Sequence, residues 1–266
     1  MIKNIKLFIN KNDKSIETAK LIKERLTYNG FILDDKKYDL GIAVGGDGSF
    51  LRMVKQNNFN SDIYYIGINS GTLGFMQEVK VEEIDNFINE LKEKKYKVDE
   101  IGIQETIVSS KHYESRLPKF YSLNEIVVRD KNLKVLKMDI NIDNDLLERF
   151  MGDGILISTS SGSTAHNLSY GGSIIYPTFS SLQITPMGPI NSKAYKSLVN
   201  SVIIPDKKEI TLIPENKSLL LTVDGENKIY NEVESISTKI DDKKIKCLRL
   251  SHYNFPEKIN EKLLSN

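Results

Sequence analysis

The sequence has a single cysteine, Cys247, in 266 residues. One thiol cannot close a disulfide within the chain or supply a cysteine metal cluster, so a reducing compartment, the cytoplasm, is the expected location. An excess of charge is missing too: 37 Lys and Arg against 36 Asp and Glu leave a formal net charge of +1. No global field then draws the chain to nucleic acid or to an anionic membrane, so neither is expected as a partner and an anionic ligand must be held by a local site. Long apolar runs are absent. Lys, Asn or Asp interrupts the hydrophobic segments well short of the ~18 residues that cross a bilayer, and Met1 to Leu7 alternates charged and apolar residues, unlike an export signal. Fixed-period repeats and low-complexity tracts are also lacking, which leaves an ordered globular chain long enough for one large domain or two ordinary ones.

The patterns that are present divide the chain. Ile5 to Ile9 reads as a strand, and Ile16, Ala19, Ile22 and Leu26 then fall at helical spacing before Asn29-Gly30. Leu40 to Val44 and Tyr64 to Ile68 are nearly all-apolar, as buried parallel strands are, and Ile84, Phe87, Ile88 and Leu91 mark a second amphipathic helix. Residues 1–97 are therefore expected to form an α/β domain. From residue 98 to 246 short β-branched runs replace the helical period, with strands expected at Gln104 to Ser110, Phe120 to Arg129, Val135 to Ile142, Ile155 to Thr159, Ser201 to Ile204, Leu219 to Val223 and Ser235 to Ile240. That spacing predicts a β-rich, sandwich-like second domain. Pro256 to Leu264 reads as a helix too short to stand alone, so residues 247–266 are expected to pack back on the first domain.

Leu40 to Val44 runs straight into Gly45-Gly46-Asp47-Gly48-Ser49, after which Phe50 resumes an apolar pattern. A strand, a glycine turn and a helix start bring backbone N–H groups up to phosphate oxygens with no side chain in the way. Asp47 would repel a polyphosphate, so its place among glycines makes sense for holding a metal or for taking a proton from an attacking hydroxyl; the same residues also suit an ordinary tight turn. The spacing is neither Gly-Lys-Ser/Thr nor a complete Gly-x-Gly-x-x-Gly, since Leu51 stands where the last glycine belongs. Further on, Asn124-Glu125 sets a neutral amide beside a carboxylate, and Gly152 to Ser169 is an acidic turn, a buried strand and a run of hydroxyls and small residues with room for a flat ligand.

Gly45 to Ser49 after a buried strand resembles the signature shared by NAD kinases, lipid kinases such as those for diacylglycerol and sphingosine, and ATP-dependent phosphofructokinases. Gly67 to Phe75, Asn124-Glu125, and Gly152-Asp153-Gly154 through Ser161-Gly162-Ser163-Thr164-Ala165-His166 resemble NAD kinases in particular. The resemblance implies an α/β nucleotide-binding domain followed by a β-rich NAD-binding domain, and an enzyme that moves the γ-phosphate of ATP to the adenosine ribose 2′-hydroxyl of NAD. It implies Asp47 as the catalytic base, with Gly45, Gly46, Gly48 and Ser49 on ATP and a divalent metal, Mg²⁺, on the phosphates. NAD would be met by Asp47, Gly48, Asn124, Glu125, Asp153, Ser161, Thr164, Ala165, His166, Asn167, Leu168 and Ser169, with Asp153 toward the nicotinamide half. His166 stands where the family usually has Tyr, Met151 where a cationic or small residue is common, and Glu226, after Asp224-Gly225, where Gln is typical. Thr185 to Pro189 resembles a proline-containing segment that shapes a turn near the ligand. The family's habit of assembly implies a homodimer or homotetramer. A lipid or sugar kinase using the same turn, and a non-catalytic NAD(P)-binding regulator, are the alternatives.

Overall fold

The structure, a computed structural model, describes residues 2–71, 74–111, 117–193 and 195–265. It divides into two compact units, Met1–Ile101 with Lys244–Asn266, and Gly102–Lys243. The first begins with β1 (Asn4–Ile9), α1 (Asp13–Tyr28), β2 (Ile32–Leu33), β3 (Leu40–Gly45), α2 (Asp47–Gln56), β4 (Tyr64–Asn69) and α3 (Ile84–Glu93). The strands pair in parallel in the order β2-β1-β3-β4. β3 is buried along its whole length, which is why its sequence is an unbroken apolar run rather than an alternation.

Asn12 caps α1, its side chain accepting the Ser15 N–H at 2.8 Å. Ala19, Ile22 and Leu26 are buried as their spacing predicts, but Ile16 is 41% exposed. The buried stripe is completed instead by Ser15 and Thr18. The helix is rotated so that the Ser15 hydroxyl meets that of Ser70 at 2.7 Å.

The second unit holds most of β5 (Lys97–Ser110), then β6 (Lys119–Ser122), β7 (Glu125–Asp130), β8 (Leu136–Ile142), β9 (Asp145–Gly152), β10 (Gly154–Thr159), the short α4 (His166–Ser169), β11 (Ser181–Met187), β12 (Val202–Pro205), β13 (Ile210–Pro214), β14 (Leu219–Val223) and β15 (Glu226–Tyr230). One antiparallel sheet runs β12-β11-β10-β7-β14-β15. In the other, β13 lies beside β8, which pairs with β9, and β5 pairs with β6. Ile126, Val128, Ile155 and Ile157 from the first sheet share one core with Met138, Ile140 and Leu212 from the second, so the unit is a β-sandwich.

The last strand, β16 (Val233–Arg249), pairs with β13 through Ile210–Thr238 and, nearer its end, in parallel with β4 through Lys246 and Cys247. Thereafter α5 (Phe255–Ile259) and a π-helical turn, Asn260–Leu264, belong to the first unit.

Three local expectations change. Phe120 to Arg129 is not one strand, because the chain turns at Leu123 and Asn124 between β6 and β7. The turn in Thr185 to Pro189 comes only at its second half: Thr185-Pro186-Met187 ends β11, with Pro186 opposite Ile155, and the chain bends at Gly188. The closing helix is a five-residue α5 followed by the π-helical turn, not one continuous α-helix.

Candidate active site

In the first unit, β3 delivers Gly45 and Gly46 to the start of α2, whose first residue is Asp47. Gly46 is the cap, and its carbonyl accepts the Ser49 N–H at 2.8 Å. The first-turn N–H groups of a helix have no partner further up the helix, and together with the helix dipole they favour a phosphate. A cleft of about 390 Å³ opens here, lined by Asn12, Asp13, Lys14, Gly46, Asn69, Ser70 and Gly71. Gly48 is exposed, whereas Gly45 and Ser49 are buried and the Ser49 hydroxyl accepts from the Arg52 guanidinium at 3.0 Å.

The Asp47 carboxylate is held from both sides. Oδ2 accepts the Phe75 N–H at 2.9 Å and Oδ1 the Met76 N–H at 3.0 Å. Each oxygen keeps a further lone pair. A Cβ on Gly74 would lie 1.8 Å from Oδ1, so this approach of loop to carboxylate requires glycine there. Thr72 and Leu73, part of the Gly67 to Phe75 motif, lie outside the described residues. Among the described residues, no group of three or more His, Cys, Asp or Glu is placed to hold a metal ion. Mg²⁺ carried on substrate phosphates needs no such cage, because it keeps waters and takes few protein ligands.

In the second unit the candidate residues gather on the face of the β10 sheet turned away from the sandwich core. Strand alternation sends Ile155 and Ile157 into the core, and Leu156 and Ser158 to the opposite face. Glu125 on β7 and Gln183 on β11 stand beside Ser158 in register. Residues 161–173 cross this face and cover it. The Ser173 N–H donates to Gln183 Oε1 at 2.7 Å, and Ser163 Oγ accepts the Ile175 N–H at 3.0 Å. Asn167 is fully buried, donating to Ser163 and Gln183 and accepting from Thr185 at 2.6 Å, so its side chain holds this cover in place.

Asn124 and Glu125 sit at the turn into β7. The Thr159 N–H donates to the Asn124 carbonyl at 2.8 Å, and Gly162 passes so close that a Cβ there would lie 2.1 Å from the same oxygen. The Asp224 carboxylate accepts the N–H groups of Leu123 (2.7 Å), Asn124 (2.8 Å) and Glu125 (3.2 Å). Both side chains are buried, yet Asn124 Oδ1, Glu125 Oε2 and the neighbouring Ser158 Oγ take no hydrogen bond within the chain. Burial, assisted by the Asp224 charge, pushes the Glu125 carboxyl up to about 8.

Ser161, Thr164, Ala165 and Leu168 are half-buried, and His166, Ser169 and Asp153 are exposed. Asp153 lies at the bend between β9 and β10 and Ser161 follows the end of β10, so the strand separates them, but the cover beyond Ser161 folds back. The His166 ring meets Tyr170 edge to face at 5.2 Å, and the Tyr170 hydroxyl accepts from Arg129, whose side chain runs over Gly154 at the Asp153 end. Burial, and then Arg129, lower the His166 pKa, which keeps the ring neutral near pH 7. The sequence singled out neither Ser158 nor Arg129, suggested only a turn for Gly74, and left Asp224 as a plain hairpin turn. Asp224 does form that turn, with φ +44° there and +84° at Gly225, while its carboxylate reaches back to Asn124.

Known proteins match both units. The family model for the ATP-NAD kinase N-terminal domain matches residues 6–96, and that for the ATP-NAD kinase C-terminal domain matches residues 123–240. A curated NAD kinase of Finegoldia magna is 39% identical over 92% of this chain and 92% of its own. That of Streptococcus gordonii is 31% identical over 97% and 94%. Among solved structures, yeast NADH kinase complexed with NADH aligns with a TM-score of 0.87 at 22% identity, covering all of this chain and 88% of that one. An NAD kinase from Archaeoglobus fulgidus in complex with ATP aligns at 0.70 and 20%, covering 93% of each. The two structural likenesses establish the fold, the two family models account for both units of it, and the chain belongs to the NAD kinase family.

Proposed function

We propose that the chain transfers the γ-phosphate of ATP to the 2′-hydroxyl of the adenosine ribose of NAD, forming NADP and ADP. The observation that carries the acceptor side is three buried polar atoms with no partner in the chain, Asn124 Oδ1 and Glu125 Oε2 at the turn into β7 and Ser158 Oγ on the strand paired with it. Burying such atoms unpaired costs about 1–3 kcal/mol each, and a ligand rich in hydroxyl and amide donors removes that cost. A ribose and an adenine edge offer those donors. Asn presents donor and acceptor together, and a neutral Glu125 both donates and accepts.

Gly45, Gly46, Gly48 and Ser49 at the start of α2 bind ATP, whose triphosphate brings Mg²⁺ to offset its charge. As the ribose oxygen bonds to the γ-phosphorus, the bond to the ADP oxygen breaks and Asp47 accepts the proton the hydroxyl loses. Asp47 and Gly48 also meet NAD at the reacting hydroxyl. Ser161, Thr164, Ala165, His166, Leu168 and Ser169 line the dinucleotide, with Asp153 toward the nicotinamide half, and Asn167 acts by holding that cover. The buried single cysteine accords with a cytoplasmic protein. Exposed Tyr176, Phe179 and Val199 on the second unit accord with a homo-oligomer, dimer or tetramer.

The test is to incubate the purified protein with MgATP and NAD and to measure NADP and ADP, which are expected in equal amounts. NAD binding without NADP formation favours a non-catalytic regulator, and phosphorylation of a lipid or a sugar in place of NAD favours the other kinases. Asp47→Asn is expected to abolish turnover with the Kd for NAD within about twofold of wild type, and unchanged kcat removes Asp47 from the mechanism.

A further inference from the structure

Residues 74–78, the loop whose Phe75 and Met76 N–H groups hold the Asp47 carboxylate, form neither helix nor strand. The Phe75 and Met76 N–H groups anchor its Asp47 end, and at its other end the Glu78 and Val79 N–H groups donate to the Gly67 carbonyl at 2.8 and 3.1 Å. That end is also held from the C-terminal segment. Lys258 on α5 donates from Nζ to the Gln77 carbonyl at 2.6 Å and lies 3.6 Å from Glu78 Oε2. Glu78 in turn accepts the Leu250 N–H at 3.0 Å and pairs with Arg249. Lys258 is 91% buried on its side chain, and such a side chain is almost never an amine without a specific partner.

We propose that Lys258 is a positioning residue for Asp47, its ammonium holding the Gln77 carbonyl and thereby the two N–H groups that aim the carboxylate. This rests on Asp47 being the proton acceptor. The groups facing Lys258 divide, with two carboxylates for the charge and one guanidinium against it. Glu78 and Asp47 favour the ammonium, Arg249 opposes it, and the Tyr253 ring lies 5.3 Å from Nζ. Burial is the largest influence and pushes the amine down to about 8. The ammonium is thus present below that pH and lost above it. Loss weakens a charge-assisted hydrogen bond to Gln77 and removes a positive charge that acts on Asp47.

The experiment compares wild type with Lys258→Met, Lys258→Arg and, as a control for the packing of the same segment, Ser251→Ala. Ser251 bonds Glu90 by its N–H (2.8 Å) and its hydroxyl (2.7 Å), away from Asp47. NADP formation by wild type comes first; its absence overturns the parent reading and not this one alone. Given activity, wild-type kcat at saturating NAD, where ionisation of Glu125 in the same range enters KM and not kcat, is expected to fall above about pH 8. Lys258→Met is expected to lose kcat by roughly tenfold or more, with KM for ATP and for NAD within about twofold, and to lose the alkaline limb. Lys258→Arg, whose guanidinium stays charged, is expected to restore kcat and to move the limb upward, and this variant decides the matter if Lys258→Met does not fold. Ser251→Ala is expected to lower the Tm while keeping kcat and the limb. The proposal is overturned if Lys258→Met keeps wild-type kcat, if its kcat falls but the limb stays, or if Lys258→Arg leaves the limb near pH 8.

Discussion

The Asp224 carboxylate accepts the Asn124 N–H at 2.8 Å, and with the N–H groups of Leu123 and Glu125 it holds the whole Asn-Glu turn. Three charge-assisted bonds converge on one side chain. Asp224→Ala is therefore expected to cost about 3 kcal/mol of stability and to raise KM for NAD by roughly tenfold or more, since Asn124 and Glu125 lose their aim. Asp224→Asn, which keeps one acceptor oxygen, is expected to fall between. Urea denaturation and NAD-dependent kinetics of both variants check this, and an unchanged KM in Asp224→Ala removes the residue from ligand recognition.

Glu125 titrates at about 8 in the folded protein because it is buried beside Asp224, against a usual value of 4.5. Between those values the folded state holds a proton that the unfolded state has released. Its contribution to stability is thus fully present below about pH 4.5 and lost as pH rises toward 8. Glu125→Gln has no such loss and is expected to be more stable than wild type at pH 8, by on the order of 3 kcal/mol, and nearly equal to it at pH 5. Thermal denaturation of both proteins across pH 5–9 gives the comparison. A constant difference across that range would mean that Glu125 titrates normally.

What could be read from the sequence was local. Leu40 to Val44 announced a buried strand because its apolar run is continuous, and Gly45 to Ser49 announced the strand-to-helix turn and Gly152 to Ser169 the strand and its following loop because each is one uninterrupted stretch. β9 gave no such sign: much of Asp145–Gly152 is exposed or half-buried and carries Glu148 and Arg149, so no apolar alternation marks it. Ile16 misled, because the inward stripe of α1 runs through Ser15 and Thr18 instead, and Ser15 meets Ser70, a residue far along the chain. What holds the candidate site residues in place failed to show in the sequence for the same reason. Asp224 reaches Asn124 across 100 residues, and Phe75 reaches Asp47 across 28, separations that no motif spacing encodes.

Gly74 has room for no side chain, since its Cβ would meet Asp47 Oδ1 at 1.8 Å. Gly74→Ala must displace the carboxylate, the loop, or both. A misplacement of about 1 Å at a reacting group costs on the order of 10²-fold in rate, and that loss of kcat is expected here. The Kd for NAD should stay within about twofold, because Asn124, Glu125 and Ser158 are untouched. A loss of affinity that matches the loss of rate would show instead that Gly74 matters to the binding of NAD.

His166 is exposed and neutral near pH 7, with its ring set edge to face against Tyr170. Replacing it by Tyr therefore removes no charge and adds aromatic area at the position where the family usually has that residue. An added ring face against a bound base or nicotinamide contributes about 0.5–1 kcal/mol, so His166→Tyr is expected to lower KM for NAD by roughly two- to fivefold with kcat little changed. The Tyr170 hydroxyl already accepts from Arg129, which keeps the neighbouring ring in place to pack against the new one. Isothermal titration with NAD separates affinity from turnover. An unchanged or weaker affinity in His166→Tyr would mean that the ring at this position does not form a wall against the dinucleotide.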